Sequence, residues 1–103
     1  MNLTKDTDKI LCLIYEEFLN RKKSGLSKSD SIRFDDPASL QTQFLQGILE
    51  DDIYDAVTEL KNCKFVHAYI DDSFELTSSG IIYMENRFKK GLKELLSYIS
   101  LIK

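Results

Sequence analysis

Residues 53–80 read Ile53-Tyr54-Asp55-Ala56-Val57-Thr58-Glu59-Leu60-Lys61-Asn62-Cys63-Lys64-Phe65-Val66-His67-Ala68-Tyr69-Ile70-Asp71-Asp72-Ser73-Phe74-Glu75-Leu76-Thr77-Ser78-Ser79-Gly80, and the changes of pattern inside them decide the fold. Ile53, Ala56, Val57 and Leu60 recur at helical spacing behind Glu50-Asp51-Asp52, whose charge suits a helix N-terminus, so a helix is predicted over 51–62. Phe65 to Ile70 is rich in β-formers, Asp71-Asp72-Ser73 turns the chain, and Phe74-Glu75-Leu76 returns it, which predicts a β-hairpin over 65–76. Thr77 then precedes a final helix expected to run from 77 to 102.

Upstream, Asp and Thr residues suited to capping precede Ile10, Leu11, Leu13, Ile14, Tyr15, Phe18 and Leu19, predicting a first helix over 6–20. Apolar positions cover most of its circumference, so it should lie between two partners as the central element. Arg21-Lys22-Lys23 follow at a favourable helix C-terminus, and Ser24-Gly25 ends the run. Ser27 to Asp36 reads as a serine-rich loop holding one short strand at Ser31-Ile32-Arg33-Phe34. Asp36-Pro37 supplies a cap and an N-terminal proline for a second helix over 38–46, which Gly47 interrupts.

In the final helix Ile81, Phe88, Leu95 and Ile102 repeat every seven positions. Met84, Leu92, Leu96 and Ile99 widen the stripe, and Gly91 is its one weak point. Such a stripe is too apolar to face water. It can pack on the first helix of the same chain, or on a second subunit, where Phe88, Leu92, Leu95, Leu96, Ile99 and Ile102 would form a homodimer interface.

The 103 residues suit a single domain, 1–103, with one hydrophobic core; 43% are hydrophobic and 30% charged, an ordinary globular mixture. The fold class expected is α+β and mainly helical. Met1-Asn2-Leu3-Thr4-Lys5-Asp6 lacks the pattern of a secretory signal, and no apolar run approaches the roughly 20 residues of a membrane span, so a cytoplasmic protein is expected. Cys12 and Cys63 sit in apolar-patterned helical segments without a Cys-x-x-Cys, and are read as buried free thiols. His67 has no adjacent nucleophile pattern, the Asp-Asp pairs occupy helix starts and turns, and no glycine-rich phosphate loop exists. No enzyme activity, cofactor or metal site is therefore expected.

Three helices followed by a two-stranded hairpin, with a short strand before the second helix, is the order of a winged helix-turn-helix. The stretch from Ile53 to Asn62, then an apolar strand, a polar turn and Glu75-Leu76-Thr77-Ser78-Ser79-Gly80, resembles the region where a recognition helix leads into a wing and a Leu-Thr-x-x-Gly element opens the next helix. Residues 6 to about 88 are similar to the small YjcQ-like winged-helix proteins of bacteria and phage, and more loosely to the MarR and PadR regulators. The resemblance implies a dimeric, DNA-associated transcriptional regulator whose third helix enters the major groove while the wing reaches the backbone or minor groove. On that reading the residues of this chain that could contact double-stranded DNA are Thr58, Lys61, Asn62 and Lys64, with Arg21, Lys22 and Lys23 as a candidate phosphate-contacting cluster.

The charge pattern supports an alternative. Residues 50–75 hold eight acids against Lys61 and Lys64. With Ile53, Ala56, Val57 and Leu60 turned inward, the outward set of the third helix is Asp51, Asp52, Tyr54, Asp55, Thr58, Glu59, Lys61 and Asn62, and the wing tip is Asp71-Asp72-Ser73. Carboxylates oppose a phosphate backbone. Such a face would suit a basic protein partner, as an acidic interaction module or DNA mimic that does not bind DNA.

Overall fold

The computed structural model describes residues 2–102. Its first helix, α1 (Lys5–Lys23), is apolar nearly all round, and Ile10, Leu11, Cys12, Ile14, Tyr15 and Phe18 are all buried. A helix with that pattern needs cover on more than one side. It obtains this chiefly from α4 (Glu50–Asn62) and α6 (Leu92–Ile102).

Between α1 and α4 lie α2 (Lys28–Ser31), β1 (Arg33–Phe34) and α3 (Pro37–Gln43). The turn of helix in α2 replaces part of the expected loop. Ser27 caps it by accepting from the Asp30 N–H at 3.1 Å, and the buried Ser31 hydroxyl donates to the Ser27 carbonyl at 2.7 Å. In α3, Pro37 occupies the first turn as expected, but the helix ends before residue 46. Phe44 leaves helical geometry, and Gly47 follows at φ +85. That turn brings Leu45 into the core at 1% exposure.

The hairpin strands are β2 (Val66–Ala68) and β3 (Phe74–Leu76). β3 pairs antiparallel with both β1 and β2, giving a three-stranded sheet of order β1-β3-β2. Phe34 lies opposite Phe74, and their rings stack at 5.2 Å between centroids, turning the sheet's apolar face toward the helices. The protein is thus mainly helical, with a small antiparallel sheet: an α+β fold.

The chain returns from the sheet into α5 (Ser78–Arg87) through Leu76-Thr77-Ser78-Ser79-Gly80, and each named position of that element has a physical reason. Leu76 is buried at 2% exposure. The Thr77 hydroxyl accepts from the Gly80 N–H at 3.1 Å, capping α5, and donates to the Lys64 carbonyl at 2.7 Å. Gly80 passes so close to the backbone just ahead of β2 that a Cβ would lie 2.4 Å from the Phe65 carbonyl oxygen. Only glycine fits.

The expected final helix is corrected as well. The final helix does not run unbroken from 77 to 102; α5 ends at Arg87, and α6 begins at Leu92. Phe88 adopts φ −118, ψ 69, Gly91 has φ +75, and the Gly91 N–H donates to the Phe88 carbonyl at 2.9 Å. The bend lets Phe88 enter the core and redirects α6 onto α1. Phe88, Leu95 and Ile99 are 4%, 0% and 5% exposed within the single chain. Burying such side chains contributes about 1.5–3 kcal/mol each, enough to favour the bend over a straight, solvent-facing helix.

Among the described residues every buried side-chain polar atom has a hydrogen-bond partner, and no helix is long and apolar enough to cross a membrane. Cys12 is buried, whereas Cys63, at the end of α4, is only partly so; both are free thiols. Burial, with Asp8 nearby, pushes the Cys12 thiol up to about 12.

Candidate functional site

The most distinctive surface lies where α4 meets the β2–β3 hairpin. Tyr54, Val57, Thr58 and Lys61 recur on one face of α4, and the hairpin sets Ala68, Tyr69, Ile70 and Asp72 across from them. Together with Pro37 they enclose an open groove of about 250 Å³.

The hairpin tip is built by local hydrogen bonds. Tyr69 donates its N–H to the Ser73 carbonyl at 2.9 Å, and its own carbonyl accepts from the Asp72 N–H at 3.0 Å. Asp71 accepts from the Ser73 hydroxyl at 2.5 Å and from the Ser73 N–H at 3.0 Å, contacts that, the hydroxyl foremost, hold the Asp71 carboxyl below the usual range. Asp72 takes the left-handed conformation at φ 68, which aspartate tolerates better than most residues. This tight loop leaves Ile70 no neighbour to cover it: its relative exposure is 105%. Tyr69 and Tyr54 remain half exposed beside it.

Acidic groups are exposed on α4 and at the hairpin tip, although the groove's own charged lining is Lys61 and Asp72. Glu50 and Asp51 lie one turn before Tyr54 on the same helical face, Asp55 flanks it, and all three are exposed, as are Asp71 and Asp72. Glu59 differs from the expectation that it faces solvent with them. Its carboxylate accepts from the Thr4 N–H at 2.9 Å, the Thr4 hydroxyl at 2.8 Å and the Thr7 hydroxyl at 2.8 Å, joining α4 to the start of α1. These bonds, the Thr4 N–H foremost, hold Glu59 below the usual carboxylate range.

The side chains nominated for nucleic acid are divided by the fold. Thr58 and Lys61 line the groove; the Thr58 hydroxyl donates to the Tyr54 carbonyl at 3.0 Å. Asn62 and Lys64 are exposed at the end of α4, with Lys64 in the left-handed conformation at φ 64. Arg21 is occupied within the fold: its Nε donates to Glu17 at 2.9 Å, its Nη1 donates to the Ser31 and Arg33 carbonyls, and its guanidinium lies 4.4 Å from the Phe34 ring centroid. It therefore pins α1 to the end of α2 and to β1. Lys22 and Lys23 are exposed on the last turn of α1, away from the residues that line the groove.

The nominated dimer stripe is divided too. Phe88, Leu95 and Ile99 are consumed by the core, leaving Leu96 at 43% exposure, with Leu92 and Ile102 half-buried. Leu101, which the sequence pattern did not single out, is 83% exposed beside them. Tyr54, expected on the outward face of its helix, is exposed, whereas nothing in the residue pattern marked Tyr69 and Ile70 as surface residues. The only available signal was the position of Tyr69 and Ile70 immediately before a turn.

His67 is exposed on β2, opposite Glu75, and its ring meets Tyr69 edge-on at 4.8 Å between centroids. Among the described residues no three His, Cys, Asp or Glu side chains converge in a way that could hold a metal ion. The groove's lining combines the apolar or aromatic Pro37, Tyr54, Val57 and Ile70 with one basic side chain, Lys61, and one acidic one, Asp72. Comparison with protein-family models, with curated proteins and with solved structures returns no match for the chain.

Proposed function

We propose that this chain is a winged-helix protein-interaction module whose α4 and hairpin tip engage a cationic protein surface. The observation that carries this reading is the set of exposed carboxylates on two neighbouring elements, Glu50, Asp51 and Asp55 on α4 and Asp71 and Asp72 at the hairpin tip. In a DNA-binding winged helix that same face would approach phosphates, and every carboxylate there would oppose the complex. A cationic protein surface reverses the sign of each interaction and accelerates encounter. The test is capture of a partner from the native cell, followed by rebinding of the purified pair. Reversing Asp51, Asp52 and Asp55 to Lys should abolish rebinding. Undiminished rebinding, or a partner with an acidic surface, would overturn the proposal.

A second reading is double-stranded DNA binding by a dimeric regulator. It is favoured by the order of elements, by the sheet order β1-β3-β2, and by the exposure of Thr58, Lys61, Asn62 and Lys64. It requires affinity for a mixed-sequence duplex that falls steeply as salt rises, because neutralised phosphates release counterions. Fluorescence anisotropy separates the two: no binding of the duplex from about 50 mM salt upward leaves the protein partner.

A further inference from the structure

We propose that α6 is an exchangeable strap: when the bend between α5 and α6 straightens, α6 leaves its own α1 and packs on the α1 of a second copy, giving a domain-swapped dimer. The occupant's fit is already present, because the surface that receives the second copy's α6 is the one the chain's own α6 covers. That surface is specific. Leu95 and Ile99 of α6 are 0% and 5% exposed, and the Tyr98 hydroxyl donates to Asp8 Oδ2 on α1 at 2.9 Å. α6 packs chiefly on α1, so its departure leaves the sheet and the α1–α4 packing in place.

The hinge is short. Phe88 at φ −118, ψ 69 and Gly91 at φ +75 interrupt the helix, with the exposed Lys89 and Lys90 between them. No atom lies within 4 Å of a Cβ built on Gly91, so no neighbour at that position enforces the bend. The residue pattern carries the opposite preference: Ile81, Phe88, Leu95 and Ile102 keep a seven-residue spacing straight through the hinge, as in one continuous helix with an apolar face. Straightening restores the helical hydrogen bonds missing at the bend but strips the cover from that face until a second copy supplies it. Because the α1–α6 contacts re-form between chains, the difference between the two forms lies in the hinge and in the freedom lost when two chains join. The bent monomer is therefore the dilute form, and the dimer belongs to high concentration. The exchange is independent of what α4 and the hairpin bind, but each dimer presents that face twice.

Two hinge variants test this in opposite directions. Gly91→Ala opposes the left-handed conformation at the bend yet suits a helix, so it should tighten dimerisation about tenfold. Lys89→Pro occupies the second position of the turn closed by the Gly91 N–H and the Phe88 carbonyl, and follows a Phe88 already outside helical geometry. A proline there blocks a continuous helix, so this variant should fold as the bent monomer and stay monomeric. Each chain is held at high concentration in urea near its unfolding midpoint, the urea is removed, and the mass is read by light scattering after chromatography. The unmodified chain should yield a dimer, Gly91→Ala more of it, and Lys89→Pro none. In a dimer assembled from isotope-labelled and unlabelled chains, isotope-filtered NMR should place the contacts of Tyr98 with the first turn of α1 between chains. A monomer throughout in both the unmodified chain and Gly91→Ala, a dimer formed equally well by Lys89→Pro, or Tyr98 contacts that stay within one chain would each overturn the inference. The second of these outcomes is what side-by-side association through the exposed Leu96 and Leu101 produces.

Discussion

Arg87, the last residue of α5, donates through Nη2 to Asp8 Oδ2 at 2.9 Å and through Nη1 to Asp8 Oδ1, forming a two-pronged ion pair across a sequence separation of 79 residues. The Tyr98 hydroxyl of α6 donates to the same Oδ2 at 2.9 Å. The guanidinium lies 4.6 Å from the Tyr98 ring centroid and 4.9 Å from that of Phe88. Asp8 belongs to the first turn of α1, where negative charge is favoured, so one carboxylate ties together α1, the end of α5 and α6. This clamp holds the C-terminal helix on its own chain.

Removing Arg87 would leave a half-buried carboxylate with a single donor. Arg87→Met should lower stability by about 2 kcal/mol, within the usual range for losing a charged hydrogen-bond partner. A double-mutant cycle with Asp8→Asn, read from urea midpoints, should give a coupling of about 1 kcal/mol or more. Zero coupling would mean that the pair behaves as an ordinary solvated surface contact.

Acid should weaken the same clamp. The Arg87 hydrogen bond, assisted by that from Tyr98, holds the Asp8 carboxyl below its ordinary value, and the Thr4 and Thr7 donors do the same for Glu59. Both groups bind protons more readily in the unfolded chain, so their stabilisation is complete above the ordinary carboxylate range and is lost as pH falls through the folded values. Urea midpoints should be flat from about pH 7 to 5 and decline below about pH 4. Asp8→Asn should make the decline shallower; an equally steep fall in that variant would assign the acid sensitivity elsewhere.

Gly80→Ala places a methyl group against backbone, which cannot rotate aside as a side chain would. For β2 to recede, the Thr77 N–H would have to release the Phe65 carbonyl, which it contacts at 3.0 Å. The expected loss is about 2–3 kcal/mol. At Gly91 no atom lies within 4 Å of the added Cβ, and only the φ of +75 opposes substitution, so Gly91→Ala should cost about 1 kcal/mol. Equal midpoints for the two variants would contradict this ordering.

Leu95 and Leu96 are adjacent on α6 but face different surroundings, at 0% and 43% exposure. Leu95→Ala should cost about 3 kcal/mol through transfer and cavity effects, whereas Leu96→Ala should cost under about 1 kcal/mol. Both midpoints should be independent of protein concentration in dilute solution. A Leu95→Ala midpoint that rises with protein concentration would place that side chain in an interface between subunits.

Much of the architecture was readable along the chain because it depends on near neighbours. The stripe Ile53, Ala56, Val57 and Leu60, preceded by three acids, marked α4 to within one residue of Glu50–Asn62. The turn at Asp71-Asp72-Ser73 separated two β-forming runs, and Thr77 marked the start of α5; each depends on spacing and capping over a few positions. The α2 turn escaped notice because its cap, Ser27, lies in a run of polar residues that otherwise reads as loop.

The partners of those local elements were another matter. Periodicity showed that Phe88, Leu95 and Ile99 needed cover, but a stripe looks the same whether its cover is α1 or a second subunit; the bend at Phe88–Gly91 and the Asp8–Arg87 contact selected α1. Charge counting placed Glu59 and Arg21 on the surface. Long-range contacts instead assign Glu59 to Thr4 and Thr7, and Arg21 to carbonyls beside the sheet. Conversely, among the described residues a strand-like Ile70 emerged as the most exposed large apolar side chain, because the hairpin turns at that residue. Helical spacing, capping and turn chemistry were thus determined by the order of residues, since each acts over a few positions. Which apolar faces remain free, and which charges still await a partner, was decided only when residues distant in sequence met in space.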